Sequence, residues 1–229
     1  MMKKLILFDI DGTLIDSGDA SRSSLNKVFR KRFSVTGVFD GIVMAGKTDI
    51  RIIKEGLSRR GLPAGDEEMA ALVSEYVKHL EIEIENNTRH TKPGVFELLN
   101  ALKEMKVCLL GLLTGNIERG ARIKLGVFGL NRFFAAGAFG DDHEDRKRLL
   151  PVAVERFERI SGKSIRYADC TVIGDTPEDV ACARLFGAES IAVSTGRYSR
   201  EDLLAARADH VFSDLSQAID VIPHLVASD

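Results

Sequence analysis

The sequence predicts an α/β fold, a doubly wound parallel sheet with a small all-helical domain inserted after the first strand. Three observations predict it. After Lys92-Pro93-Gly94, short apolar runs of strand length alternate with helical periodicity, the pattern of strands buried on both faces by crossover helices. Residues 16–88 show helical periodicity alone. The apolar runs end in Asp, Thr and Gly, and open sheets place their sites at the carboxyl ends of strands.

The elements follow in order. Residues 4–8, KLILF, form a buried strand running into the turn Asp9-Ile10-Asp11-Gly12-Thr13. From residue 19 the period changes. Leu25, Val28, Phe29 and Phe33 share one helical face. Ile50, Ile53 and Leu57 repeat the spacing, with Asp49 near the helix start, and Met69, Leu72, Val73, Tyr76 and Leu80 repeat it again. Gly61-Leu62-Pro63-Ala64-Gly65 is the loop between these two helices. Val95, Leu98, Leu99 and Leu102 mark the next helix, 107–113 a strand, 117–125 a helix and 133–139 a strand. Residues 149–160 form a helix with Pro151 in its first turn. Residues 171–174 form a strand ending at Asp175, and Pro177–Phe186 a helix closed by Gly187. A strand at 190–194, a helix at 200–206 and a strand at 210–212 complete a Rossmann-like core. The expected domains are an α/β core, 1–15 with 89–229, and a helical cap, 16–88.

Composition excludes several classes. The chain has 229 residues, 45% hydrophobic and 29% charged, enough to build a core without staples and unlike disordered or collagen-like chains. Thirty-two Lys+Arg against 34 Asp+Glu leave a formal charge of −2, so neither nucleic acid nor an anionic membrane is an expected partner. No apolar run approaches transmembrane length, and the four-residue run LILF is too short for a signal peptide. Cys108, Cys170 and Cys182 lack metal-ligand spacing. They read as buried thiols of a reducing cytosol, which makes the expected location cytoplasmic. The sequence carries no signal that separates monomer from homodimer.

The strand-end residues are Asp9 and Asp11, then Thr114-Gly115-Asn116, then Asp175. They come from separate strands yet face one crevice. Three carboxylates there repel unless a cation is bound, and hard oxygen ligands suit Mg²⁺, which keeps waters and bridges to phosphate. Gly12 lets the chain turn sharply after Asp11. Thr114 offers a hydroxyl, and the Gly115-Asn116 amides open a helix whose N-terminus favours an anion. Arg146-Lys147-Arg148 reads mostly as a solvated face that can spare one cation for the site. Asp141-Asp142-His143-Glu144-Asp145 reads as an exposed acidic loop. A metal, a carboxylate nucleophile and an anion cradle together fit phosphoryl transfer. In Ala45-Gly46-Lys47-Thr48-Asp49 the turn precedes a helix capped by Thr48, and Lys47 can reach over the site.

With these segments in this order, the chain resembles the haloacid dehalogenase-like superfamily in its phosphoglycolate-phosphatase-like branch. The carriers are Asp9-Ile10-Asp11-Gly12-Thr13, Leu113-Thr114-Gly115-Asn116, Arg146 or Lys147, and Gly174-Asp175-Thr176-Pro177-Glu178-Asp179. The resemblance implies an Mg²⁺-dependent hydrolase of small phosphomonoesters. It makes Asp9 the nucleophile that becomes an aspartyl phosphate, and Asp11 the general acid and base. It assigns Mg²⁺ to the Asp9 carboxylate, the Asp11 carbonyl and Asp175, with Asp179 acting through water or by orienting a ligand. Thr114, Gly115 and Asn116 would bind phosphate, together with Arg146 or Lys147, Pro151 favouring Arg146. Lys47 would contribute to substrate selection from the cap. A phosphosugar mutase of the superfamily usually carries a His shortly after the first motif, absent from 16–24 here. A phosphonate hydrolase and a dehalogenase characteristically lack the second Asp, present here as Asp11. A phospho-receiver signalling domain, the non-enzyme alternative, would be half this length without a helical insert.

Overall fold

The computed structural model describes residues 4–63, 65–105, 108–219 and 222. Met1-Met2-Lys3, Ala64, Val107 and His224 lie outside the described residues. In chain order the elements are β1 (Lys4–Phe8), β2 (Ile15–Asp16), α1 (Ala20–Phe33), α2 (Asp49–Arg59), α3 (Asp66–Glu83), β3 (His90–Thr91) and α4 (Val95–Met105). Then follow β4 (Cys108–Leu113), α5 (Glu118–Gly126), β5 (Ala136–Ala138), α6 (Leu149–Ser161), β6 (Cys170–Gly174), α7 (Pro177–Phe186), β7 (Glu189–Val193), α8 (Arg200–Ala205), β8 (His210–Phe212) and α9 (Leu215–Ala218).

Six parallel strands form one sheet in the order β5-β4-β1-β6-β7-β8. The period-two alternation of β1 explains both layers. Ile6 and Phe8 enter a core with α4 and α5, while Leu5 and Leu7 enter a second core with α6 and α7. Leu112 and Ile173 follow the first pair; Leu113 and Val172 follow the second. A run apolar at every position is therefore what a strand between two helical layers needs. Each such side chain, fully buried, contributes about 1.5–3 kcal/mol.

The helices α1–α3 lie between β1 and β4 in sequence and build a third core. Leu25, Val28 and Phe29 of α1 meet Ile53 and Leu57 of α2 and Leu72, Tyr76 and Leu80 of α3. This core is shared, because Ile117, just before α5, belongs to the same cluster. The two crossings between sheet and insert are tied by an antiparallel pair, β2 with β3, matching Ile15 to Thr91 and Asp16 to His90.

Two expectations need correction. The strand expected over 133–139 is confined to Ala136–Ala138. Leu130–Phe133 instead forms a 3-10 turn behind Gly129, and Phe134 packs against Phe8 with ring centroids 5.8 Å apart. An apolar run of strand length does not distinguish a buried strand from a buried aromatic turn. Cys108 is half-buried, while Cys170 and Cys182 are buried as expected. No helix among the described residues is long and apolar enough to cross a membrane.

Candidate active site

The carboxyl ends of β1, β4, β6 and β7 open on one cavity of about 410 Å³. The insert covers it with residues from the start of α1 and from the turn before α2. Asp9, Asp11, Gly12, Thr114, Gly115, Asn116, Arg146, Asp175 and Lys47 all line it. The structure thus brings together every residue singled out from the sequence except Lys147 and Asp179. Lys147 is exposed, beside the buried Arg146. Asp179 sits behind Asp9 at the start of α7.

Asp9, at the end of β1, is buried, and its amide donates to the Ile173 carbonyl at 2.9 Å. The Arg146 guanidinium lies 3.0 Å from Asp9 Oδ1 and also binds Asp179. Burial pushes the Asp9 carboxyl up to about 6, even with Arg146 beside it. Burial also disfavours a charged Arg146, but the Asp179 and Asp9 carboxylates more than offset this and keep it protonated. Arg146 Nε is buried without a hydrogen-bond partner, so a donor remains for an anionic oxygen.

Asp175 is buried at the end of β6 and accepts from Thr13 Oγ1 at 3.0 Å. Burial, then the neighbouring charges of Asp9 and Asp179, push its carboxyl far above the usual range. Carboxylate oxygens of Asp9, Asp175 and Asp179 lie within 4.8 Å of one another. Such a cluster is unfavourable by itself and is the donor set a hard divalent cation relieves. Asp9 and Asp175 fit that role. Asp179 is committed elsewhere. One oxygen accepts from the Thr176 amide and hydroxyl, at 3.1 and 2.7 Å, closing a capping box, and the other faces Arg146. Its place is to hold Arg146 and the β6–α7 turn.

Asp11 faces the cavity with its side chain 38% exposed. Its Oδ2 accepts from Lys124 Nζ at 2.6 Å and Asn116 Nδ2 at 2.8 Å, and its Oδ1 from Ser17 at 2.9 Å. Burial acts upward on this carboxyl too, but Lys124, with Asn116 and Ser17, overcomes it and holds Asp11 below the ordinary range. Gly12, at φ +86°, takes the left-handed turn that aims Asp11. The buried Thr114 hydroxyl accepts from Asn116 Nδ2 at 2.9 Å and keeps its own proton to donate.

The anion at the start of α5 is supplied by the protein. Asp49 of α2 accepts from the Ile117 amide, and Asp141 from the Glu118 amide, each at 3.0 Å. The Asn116 amide is turned toward the Thr114 hydroxyl at 3.3 Å. The Ile117 amide therefore docks the insert, through Asp49. Asp49 N donates to the Gly115 carbonyl at 2.8 Å, and a Cβ on Gly115 would lie 2.1 Å from the Lys47 carbonyl oxygen. Only glycine permits that approach. Burial pushes the Asp49 carboxyl up to about 6 against the pull of Lys124.

Lys47 lines the cavity, but its ammonium is bound by Glu55 at 2.5 Å. Of the acidic loop, Asp141, His143, Glu144 and Asp145 are exposed, while Asp142 is half-buried against Arg156. Sequence reasoning missed Lys124, only 1% exposed, and the inward role of Asp49. A signal for Lys124 existed. It lies seven residues after Ile117 and three after Ala121, on the apolar stripe of α5, where a charge demands a partner.

Comparison with known proteins adds to this geometry. A family model described as haloacid dehalogenase-like hydrolase matches residues 6–193. The chain is 27% identical over 216 residues to the phosphoglycolate phosphatase of Agrobacterium fabrum (strain C58), covering 94% of this chain and 90% of the relative. It shares its fold with a predicted phosphoglycolate phosphatase from Haemophilus somnus 129pt, at TM-score 0.74 and 18% identity over 96% of this chain and 98% of that one. It also shares it with CbbY from Rhodobacter sphaeroides in complex with xylulose-(1,5)bisphosphate, at TM-score 0.76 and 16% identity over 94% and 96% of the two chains.

Proposed function

We propose that this chain, which belongs to the haloacid dehalogenase-like hydrolases, is a phosphatase that hydrolyses small phosphomonoesters with Mg²⁺ through an aspartyl phosphate on Asp9. The observation that carries the reading is the floor of the cavity. There a buried carboxylate, Asp9, is held 3.0 Å from a buried guanidinium, with Asp175 and Thr114 on the same cavity. The phosphoglycolate phosphatases that resemble it along almost its whole length support the same reading.

Asp9 Oδ attacks phosphorus, forming the carboxyl O–P bond as the P–O bond to the leaving group breaks. Arg146 and Thr114 donate to the transferring phosphoryl oxygens, where negative charge would otherwise oppose the approach of a carboxylate. Asp11 gives a proton to the departing oxygen. It then takes one from the water that attacks the phosphorus of the aspartyl phosphate, releasing inorganic phosphate and restoring Asp9. The contact with Lys124 favours the ionised form of Asp11, the form suited to the second half of this cycle. A Mg²⁺ ion held by Asp9, Asp175 and the Asp11 carbonyl would supply positive charge between two anions that must meet. Asp179 fixes Arg146 rather than the metal.

We take residues 16–88 as the cap and 1–15 with 89–229 as the catalytic core. The cap walls off the leaving-group end of the cavity, with Lys47 on that wall. The test is a panel of phosphomonoesters ranked by kcat/KM with Mg²⁺ and again after chelation. Turnover that depends on the cation, together with a trapped phosphoenzyme on Asp9, is the expected result. Full activity after exhaustive chelation would sink the metal assignment.

A further inference from the structure

We propose that Arg197 binds a second negative charge on the substrate and so selects phosphomonoesters whose leaving group is itself anionic, a carboxylate or a second phosphate. The proposal rests on the phosphatase reading above and assigns it a specificity residue.

The charged groups around the cavity are matched in pairs, with one cation left over among the described residues. Among the described residues, the cationic side chains that line it are Arg22, Lys47, Lys124, Arg146 and Arg197. Arg146 is bound by Asp9 and Asp179, and Lys124 by Asp11. Lys47 is bound by Glu55, which also takes Arg59 at 2.9 Å. Arg22 reaches Asp19 at 3.1 Å and donates to the carbonyls of Phe39 and Ile42. Arg197 alone of these is exposed and makes no hydrogen bond or ion pair among the described residues. It is the cation the cavity has left to offer.

Its backbone is clamped to the floor of the site. Arg197 follows β7, in the loop that leaves the same edge of the sheet as Asp9, Thr114 and Asp175. Ser194 N donates to the Phe212 carbonyl at 3.0 Å, and Thr195 Oγ1 to the Gly12 carbonyl at 2.5 Å. Gly196 lies so close to Asp175 that a Cβ there would fall 1.8 Å from its Oδ2. The residue before Arg197 therefore rests on a proposed metal ligand, and Arg197 is the next step outward, at the cavity mouth. A leaving group that projects from a phosphoryl group on the floor enters the cavity that Arg197 lines. A guanidinium presents a planar fork that matches a carboxylate or phosphate bidentately, and it sheds water more readily than an ammonium. An uncharged leaving group gains nothing from it.

The test compares 2-phosphoglycolate, a sugar bisphosphate and p-nitrophenyl phosphate on wild type, Arg197→Gln and Arg197→Lys, with Mg²⁺ throughout. Arg197→Gln should lower kcat/KM for at least one of the two polyanionic esters at least about tenfold more than for p-nitrophenyl phosphate, chiefly through KM. Arg197→Lys, which keeps the charge without the fork, should recover part of that difference. A differential loss on only one polyanionic ester identifies the second anion as carboxylate or phosphate. Equal losses on all three esters, or none, overturn the proposal and leave the phosphatase reading standing. If wild type turns over none of them, that reading falls and the proposal falls with it.

Discussion

The two halves of the cavity are built differently. On the core half, ionised and polar side chains are buried and cross-braced: Asp9 to Arg146, Arg146 to Asp179, Asp175 to Thr13, Thr114 to Asn116. On the insert half, the cations are settled within the insert, Lys47 with Glu55 and Arg22 with Asp19. Groups that must stabilise a transition state have to be held before the substrate arrives, and that takes buried hydrogen bonds on rigid strand ends. A wall that only has to shape the leaving-group end needs no such bracing. The seam between the halves is crossed by Asp49, whose carboxylate accepts from the Ile117 amide and whose own amide donates to the Gly115 carbonyl. Lys124 of the core neutralises Asp11, and Asp49 of the insert sits close enough to feel the same charge.

The largest effect is expected at Asp9. Asp9→Asn should lower kcat toward p-nitrophenyl phosphate at least about a thousandfold, because an amide cannot form the acyl phosphate. Rapid steady-state turnover by this variant would end the covalent mechanism. Asp11→Asn should differ in kind. It should still be phosphorylated by an ester whose leaving group needs no acid, and then hydrolyse slowly, which a burst followed by a slow phase would show.

A second measurement isolates the metal part of the core half. Asp175→Asn should weaken Mg²⁺ binding at least about tenfold, read from the Mg²⁺ dependence of activity and from titration calorimetry, with the far-ultraviolet spectrum unchanged. Unaltered Mg²⁺ affinity would remove Asp175 from the metal site.

The ion pair inside the core, beside the seam, is tested by Lys124→Met. This leaves Asp11 without its cation. Asp11 keeps some exposure, so the cost should be about 1–3 kcal/mol in urea unfolding, less than for a fully buried pair. No loss would mean that Asp11 rehydrates freely and that the pair does not brace the site.

The pH dependence of stability separates the halves in another way. Asp9 in the core and Asp49 in the insert are both pushed from 3.8 up to about 6 in the folded chain. A carboxyl raised in this way binds its proton more tightly when folded. Its contribution is full below about pH 4 and is lost as the pH climbs toward 6. The metal-free protein should therefore lose stability across that window, up to about 3 kcal/mol for each of the two carboxyls. Added Mg²⁺ should recover the part due to Asp9 and Asp175 and leave the part due to Asp49, which Asp49→Asn should remove. Stability that rises with pH through this window, without metal, would contradict these shifts.

The smallest effect is expected at Lys47. With its ammonium held by Glu55, Lys47→Ala should cost less than about 1 kcal/mol in kcat/KM on any ester, the scale of a solvated ion pair. A larger loss confined to polyanionic esters would mean that Lys47 leaves Glu55 for the substrate.

Much of this molecule was legible in its sequence. LILF, residues 5–8, reads as a strand between two layers because every position is apolar, and Asp9, Thr114 and Asp175 read as site residues because each closes a strand-length apolar run. What could not be read is pairing across long separations. Arg146 and Lys147 are adjacent and chemically alike, and only the turn before α6 buries the first and exposes the second. Lys124 and Asp11 are 113 residues apart, and Asp49 and Ile117 are 68. Arg197 carries no motif at all. Its relation to Asp175 arises because β6 and β7 are neighbours in register, Gly174 beside Ala192, so that their outgoing loops share one edge. Local periodicity and turn chemistry thus determined the elements, the order of layers and the strand-end residues, since each depends on neighbours a few positions away. Which cation meets which carboxylate was decided by the tertiary structure, because burial makes an unpaired charge costly and the partner is whichever group the packed sheet brings within reach.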